Sequence, residues 1–261
     1  MRSILSLFDR KKKNKPKVNY INVDETDSTS TYLRNHLSEV DGNGLGLTVV
    51  STAFQTSGRG QRNNRWESER GKNLLFSILC HPVWVPLRSQ FLISEVIAIA
   101  LHDVLSNYTS DIMIKWPNDI YWKDKKISGT IIENYLSQNH IRDCIIGTGI
   151  NVNQEEFNSD APNPVSLVQI LGKEVDKDAL LKKVVDAFSL YLNDLRNGNY
   201  SKIVGLYTSH LYRGHGFFKY RDQDGEFDAA LVEVEDDGHL ILRDKDGRIR
   251  SYAFKEVEFV V

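Results

Sequence analysis

The apolar positions change period several times along the chain, and each change marks an element. Residues 19–23 (NYINV) alternate as a short strand. A cluster of Asp, Ser and Thr then precedes Tyr32, Leu33 and Leu37, the pattern of an N-capped helix. After a turn at DGNGLG, the runs LTVVSTAF and NLLFSILC predict two buried strands. A long polar segment joins them, and loops longer than about 12 residues are mostly functional or disordered. Residues 88–108 place Phe91, Leu92, Val96, Ile99, Ala100, Val104 and Tyr108 at helical spacing, apolar nearly all round, which predicts a buried helix. DIMIKW and DIYW read as strands about the turn Pro117-Asn118-Asp119. KISGTIIENYL and IRDCIIGTGINVN predict a further pair linked through SQNH. Leu181, Val184, Val185, Phe188, Leu192 and Leu195 share one helical face, and a shorter helix is expected from Tyr200 to His210.

Near residue 213 the period falls to two. Asp-Gly recurs three times between alternating runs, a strong hairpin signal. Short antiparallel strands at this density predict a small barrel or sandwich. The expected organisation is an α/β domain over residues 19–212 and a β-domain over 213–261, behind a disordered basic extension, 1–18.

Charge sharpens that division. Residues 1–18 hold seven Lys or Arg against one Asp, whereas the whole chain of 261 residues has a net charge of −2. The body is therefore acidic, which argues against a nucleic-acid groove. The basic extension is read as a solubilising segment. No apolar run approaches the roughly 20 residues of a membrane span. The two cysteines, Cys80 and Cys144, sit inside predicted strands, which points to a reducing compartment such as the cytoplasm.

Four segments carry candidate chemistry. QTSGRGQRNNRW (55–66) combines two glycines, three arginines and Trp66. Glycines let backbone N–H groups approach a ligand, and arginines suit phosphate or carboxylate. A solvated loop is the plain alternative. IKWPND (114–119) ends a strand with Lys115 beside Asn118 and Asp119, which suits a phosphate and Mg²⁺, or is an ordinary hairpin. In DKKISGTIIE, a regular strand projects Lys126 and Ser128 to one side and leaves room at Gly129; otherwise this is a lysine-protected edge. GTGIN (147–151) is a small-residue strand end with an amide, or simply a turn. P-loop, Rossmann, nucleophile-elbow and zinc patterns are absent.

In this order the segments resemble the biotin protein ligases over about residues 20–261. DSTSTYL (27–33), the glycine-arginine segment, KWPND (115–119), KISG (126–129) and GTGINVN (147–153) are similar to that family's motifs. The resemblance implies a class II aminoacyl-tRNA-synthetase-like α/β fold with an SH3-like C-terminal barrel. It also implies that biotin and MgATP form biotinyl-5′-AMP, and that biotin then passes to a lysine of a biotin carboxyl carrier domain. Ser28, Thr29, Ser30, Gln55, Arg59, Gly60, Gln61, Trp66, Lys126 and Gly129 are implied to bind biotin, with Lys126 and Arg59 catalytic. Lys115, Asn118, Asp119 and Asn151 are implied to face ATP, and Asp119 to hold Mg²⁺. Three positions depart from the pattern: Ser30 replaces a common Asn, and Gln61 and Asn64 replace common arginines. A lipoate ligase would need an R-R-x-S-G-G-G segment, which is absent. Members that repress transcription add a helix-turn-helix domain. Only residues 1–18 precede the pattern here, so no specific DNA binding is expected; a homodimer is left open.

Overall fold

The computed structural model describes residues 17–40, 46–60, 65–159 and 163–260. Strands β1 (Val18–Thr26), β2 (Leu47–Gln55), β3 (Leu74–Cys80), β4 (Ile112–Lys115), β5 (Asp119–Trp122), β6 (Lys125–Ser137) and β7 (His140–Ile150) form one mixed sheet. Their order is β1-β2-β3-β7-β6-β5-β4. Only β1 and β2 run parallel, joined through helix α1 (Thr29–Asn35) and the short α2 (Leu37–Val40). Val18 already belongs to β1, so the sheet starts inside the expected extension; residues 1–16 lie outside the described residues.

Alternation along the strands gives the sheet two working faces. On one, Phe76, Ile78, Ile146 and Ile150 join a core with α3 (Phe91–Leu105), α5 (Lys177–Arg196) and α6 (Tyr200–Ser209). On the other, Val50, Leu79 and Ile145 pack under Leu33 of α1. The short α4 (Leu167–Leu171) was not predicted from the pattern; a Ser166–Gln169 capping box starts it and Gly172 at φ 68° ends it.

The C-terminal strands β8 (Phe217–Asp222), β9 (Gly225–Val234), β10 (Leu240–Asp244), β11 (Ile249–Tyr252) and β12 (Glu258–Phe259) form an antiparallel sheet in the order β11-β10-β9-β8-β12. The Asp-Gly steps fall at its turns, with Gly225, Gly238 and Gly247 at φ 124°, 95° and 85°, values that need glycine. Among the described residues no ladder joins β11 to β12, and the expected small C-terminal β-domain is present as this five-stranded sheet. Its Tyr220, Leu240, Leu242 and Tyr252 are continuous with the main core. No described helix is long and apolar enough to cross a membrane.

Glu95 is an exception to the apolar logic of α3. It is 3% exposed, and its Oε2 has no hydrogen-bond partner among the described residues. Burial, then the charge of Asp236, push its carboxyl up to about 8. An acid whose folded value is raised binds a proton that the unfolded chain has lost, so stability falls as pH rises between about 4.5 and about 8. The slope is at most ~1.4 kcal/mol per pH unit. Glu95→Gln, which mimics the neutral acid, should flatten this dependence and raise the melting temperature at alkaline pH. Thermal denaturation of both forms across that window checks it; an unchanged profile would refute the assignment.

Candidate active site

The site grows from the α1 face of the sheet. Ser28 caps α1, its Oγ accepting from Thr31 N at 3.1 Å, so its hydroxyl is committed to the helix start. The cap turns the next two side chains down onto the strands. Thr29 donates through backbone N (2.9 Å) and Oγ1 (3.2 Å) to Gln55 Oε1. Thr29 Oγ1 lies 2.7 Å, and Ser30 Oγ 2.9 Å, from Ser77 Oγ. Ser77 was not anticipated, although it is the one hydroxyl in the apolar run LLFSILC. A side chain at Gly147 would meet Ser30 Oγ at 2.3 Å, so the polar cluster exists because that position is bare.

Beside this cluster the strands form a flat floor. Gly129 of β6 and Gly149 of β7 are directly paired, and the indole of Trp66 lies over both. A Cβ on Gly149 would stand 2.5 Å from Trp66 Cε2. Trp66 Nε1 is buried without a partner among the described residues. The main-chain bond from Trp66 N to Gly58 O and an Arg59–Arg65 bridge fold the loop ends together. Gln61 and Asn64, with Arg62 and Asn63, lie outside the described residues.

Lys126 borders the floor, but not as a regular strand would have it. The β5–β6 register shifts, pairing Ile120 with Ser128 and Tyr121 with Lys126, so Ile127 is an extra, bulged residue. The bulge reverses the expected alternation. Lys126 Cε would touch a Cβ at Gly129 (3.0 Å), whereas Ser128 points the opposite way and donates to Gly149 O at 2.8 Å. Lys126 Nζ meets Asp119 Oδ2 at 2.5 Å and stands 5.9 Å from the Trp66 ring centre. Its backbone is clamped on both sides, N to Asn163 O and O to Val165 N.

The KWPND segment splits. Asn118 lines a cleft of about 530 Å³ together with Arg59, Gly60, Trp116, Glu133 and Gly238. Trp116 Nε1 donates to Gly238 O at 3.0 Å, fastening the turn to the C-terminal sheet. Lys115 instead packs over Tyr121 (4.8 Å) and Phe259 (5.2 Å), donating to Tyr121 OH at 3.1 Å. Burial holds its ammonium below the ordinary lysine range, against the opposing pull of Asp119. Asn151 donates to Val165 O at 3.2 Å. The Oδ1 atoms of Asn118 and Asn151 are buried acceptors without a partner among the described residues. Like the Asp119 carboxylate, both are hard oxygen acceptors, the ligand type that Mg²⁺ prefers.

The chain is similar to proteins of known activity. The bifunctional ligase/repressor BirA of Bacillus spizizenii is 28% identical over 79% of this chain, which spans 64% of that relative's length. The biotin--[acetyl-CoA-carboxylase] ligase of Paracoccus denitrificans is 27% identical over 78% of this chain and 87% of its own. The structure of the Aquifex aeolicus biotin protein ligase in complex with biotin and ATP superposes with a TM-score of 0.76 and 27% identity, covering 93% of this chain and 99% of that one. Residues 23–151, which hold the polar cluster, the glycine floor, Lys126 and the KWPND turn, match the model of the biotin/lipoate A/B protein ligase family.

Proposed function

We propose that this chain joins biotin to a lysine of a biotin carboxyl carrier domain at the expense of ATP. In the first step a carboxylate oxygen of biotin attacks the α-phosphorus, giving biotinyl-5′-AMP and pyrophosphate. In the second the acceptor amine attacks the anhydride carbonyl; an amide forms, AMP leaves and one proton is released. The observation that carries this reading is Lys126, whose ammonium borders a bare glycine floor within reach of a carboxylate on the KWPND turn.

Each step brings anions together, so the site must supply positive charge where it develops. Lys126 suits the biotin carboxylate and Arg59, exposed at the cleft, suits the phosphates. Thr29, Ser30 and Gln55, joined by Ser77, offer hydroxyl and amide groups to the polar head of biotin. Trp66, seated on Gly129 and Gly149, offers its indole as an apolar wall for the ligand's body, with Ser28 supporting from the helix cap. Gly60 lines the mouth of the cleft, and Gln61, outside the described residues, is assigned to the biotin side by the motif alone. Asn118, Asp119 and Asn151 take the ATP side; Lys115 supports that turn from behind. Mg²⁺, held by Asp119 with the free amide oxygens, would neutralise phosphate charge.

The test is pyrophosphate exchange into ATP, followed by transfer to a carrier domain. Exchange that depends on biotin is expected. Exchange that responds to lipoate but not to biotin would overturn the reading. We also place the protein in the cytoplasm: Cys80 and Cys144 face each other across β3 and β7 as free buried thiols, which suits a reducing compartment.

A further inference from the structure

A second group of chemistry-bearing side chains lies away from this site, where α3, α5 and α6 meet. We propose that His102, Asp103 and His210 form a site for a zinc-class divalent transition-metal ion that ties the C-terminal end of α6 to α3. The inference is independent of the ligase reading.

One ligand atom from each of the three lies within 4.8 Å of the others. Two imidazole nitrogens and one carboxylate oxygen suit borderline-soft ions such as zinc, and leave a fourth position for water. Mg²⁺ and Ca²⁺ prefer an all-oxygen set. The ligands come from two separate elements, so an ion would cross-link them rather than decorate one helix. Asp103 is oriented from outside the trio: the Tyr191 hydroxyl of α5 donates to its Oδ2, the outer-shell support that carboxylate ligands usually have. His102 is 8% exposed while Asp103 and His210 are half-buried, so the group is sheltered yet reachable from solvent.

The two imidazoles stack, with ring centres 3.8 Å apart and planes 18° from parallel. Stacked rings aim their lone pairs side by side, so one must turn about its Cβ–Cγ bond to converge on an ion. His210, at the C-cap of α6 and half-buried, is the ring with room to do so. His102 Nδ1 already lies 3.2 Å from Asp103 Oδ1, a separation that two ligands of one ion can keep once the proton between them is released, while Nε2 is 3.5 Å from Ser106 Oγ. His210 also links this corner to the catalytic sheet. Its carbonyl accepts from Ile114 N at 2.8 Å, one residue before Lys115. A metal here would therefore brace the strand that carries KWPND.

The experiment titrates the full chain with zinc in the presence of saturating Mg²⁺, with Co²⁺ as a spectroscopic probe. One ion per chain is expected, with d–d bands of a low-coordinate site and a rise in melting temperature. His102→Ala and His210→Ala should each weaken binding by ~100-fold or more, and Tyr191→Phe by about 10-fold. Asp119→Asn and Asp237→Ala, which alter the catalytic turn and the exposed Glu235–Asp237–His239 group, should leave stoichiometry and affinity unchanged. If His102→Ala fails to fold, the half-buried His210→Ala decides. Undiminished binding in His210→Ala, loss in Asp119→Asn or Asp237→Ala, or no binding at all would each overturn the proposal.

Discussion

Replacing Lys126 with alanine is expected to lower biotin-dependent pyrophosphate exchange by about 10²–10³-fold, the range seen when one preorganised charge-stabilising donor is removed. The ammonium is fixed before any ligand arrives. Its backbone is clamped by Asn163 and Val165, and its Nζ is held by Asp119. A donor preset in this way needs little reorganisation as charge develops. Its removal leaves Asp119 without its ion-pair partner and adds negative charge beside the incoming carboxylate, so the loss exceeds that of a single neutral hydrogen bond. Stability should change little. The pair is partly exposed, with side chains 31% and 24% accessible, and such pairs contribute on the order of 1 kcal/mol or less. Exchange kinetics together with a thermal melt separate the two effects. Lys126→Arg should recover only part of the rate, because a planar guanidinium cannot stand where the compact ammonium meets Asp119 at 2.5 Å. Wild-type exchange in the alanine variant would remove Lys126 from the chemistry and turn attention to Lys125.

How much of this was legible follows from the range of the interactions involved. The Asp-Gly turns, the Ser28 cap and the buried α3 depend on neighbours within a few residues, and they stand where the pattern placed them. Lys126 and Ser128 show where local reading stops. Strand periodicity puts them on one face, and one extra residue in β6 puts them on opposite faces. A bulge is a property of two strands together, invisible in either. Ser77 was overlooked for a similar reason: in β3 it is a lone hydroxyl in an apolar run, and its meaning comes from Thr29 and Ser30, more than 40 residues earlier. Lys115 belongs to a motif read as one unit, yet β4 ends at Lys115, which lies over Phe259 of the C-terminal sheet, and the turn that follows carries Asn118 to the cleft.

Gly149→Ala should weaken biotin binding by roughly 10–100-fold, through Trp66 rather than through any lost polar contact. The added methyl would stand 2.5, 2.7 and 2.8 Å from three atoms of the indole, closer than real contacts allow. Backbone cannot yield easily, because Gly149 sits in the centre of the sheet, paired with Leu75 on one side and Gly129 on the other. The rigid ring must therefore lift, and overpacking of this kind typically costs 1–3 kcal/mol. Lifting it displaces the apolar wall, so the strain appears as lost affinity. Trp66→Ala should also weaken binding, because it removes the wall outright. The decisive measurement is the double variant, by calorimetric titration with biotin. With no indole to strike, the Gly149 methyl should add far less to Trp66→Ala than it costs in the wild type, a coupling of 1 kcal/mol or more. Strictly additive losses would mean that the methyl obstructs the ligand directly, and that the indole over the glycine floor is not the surface against which biotin is held.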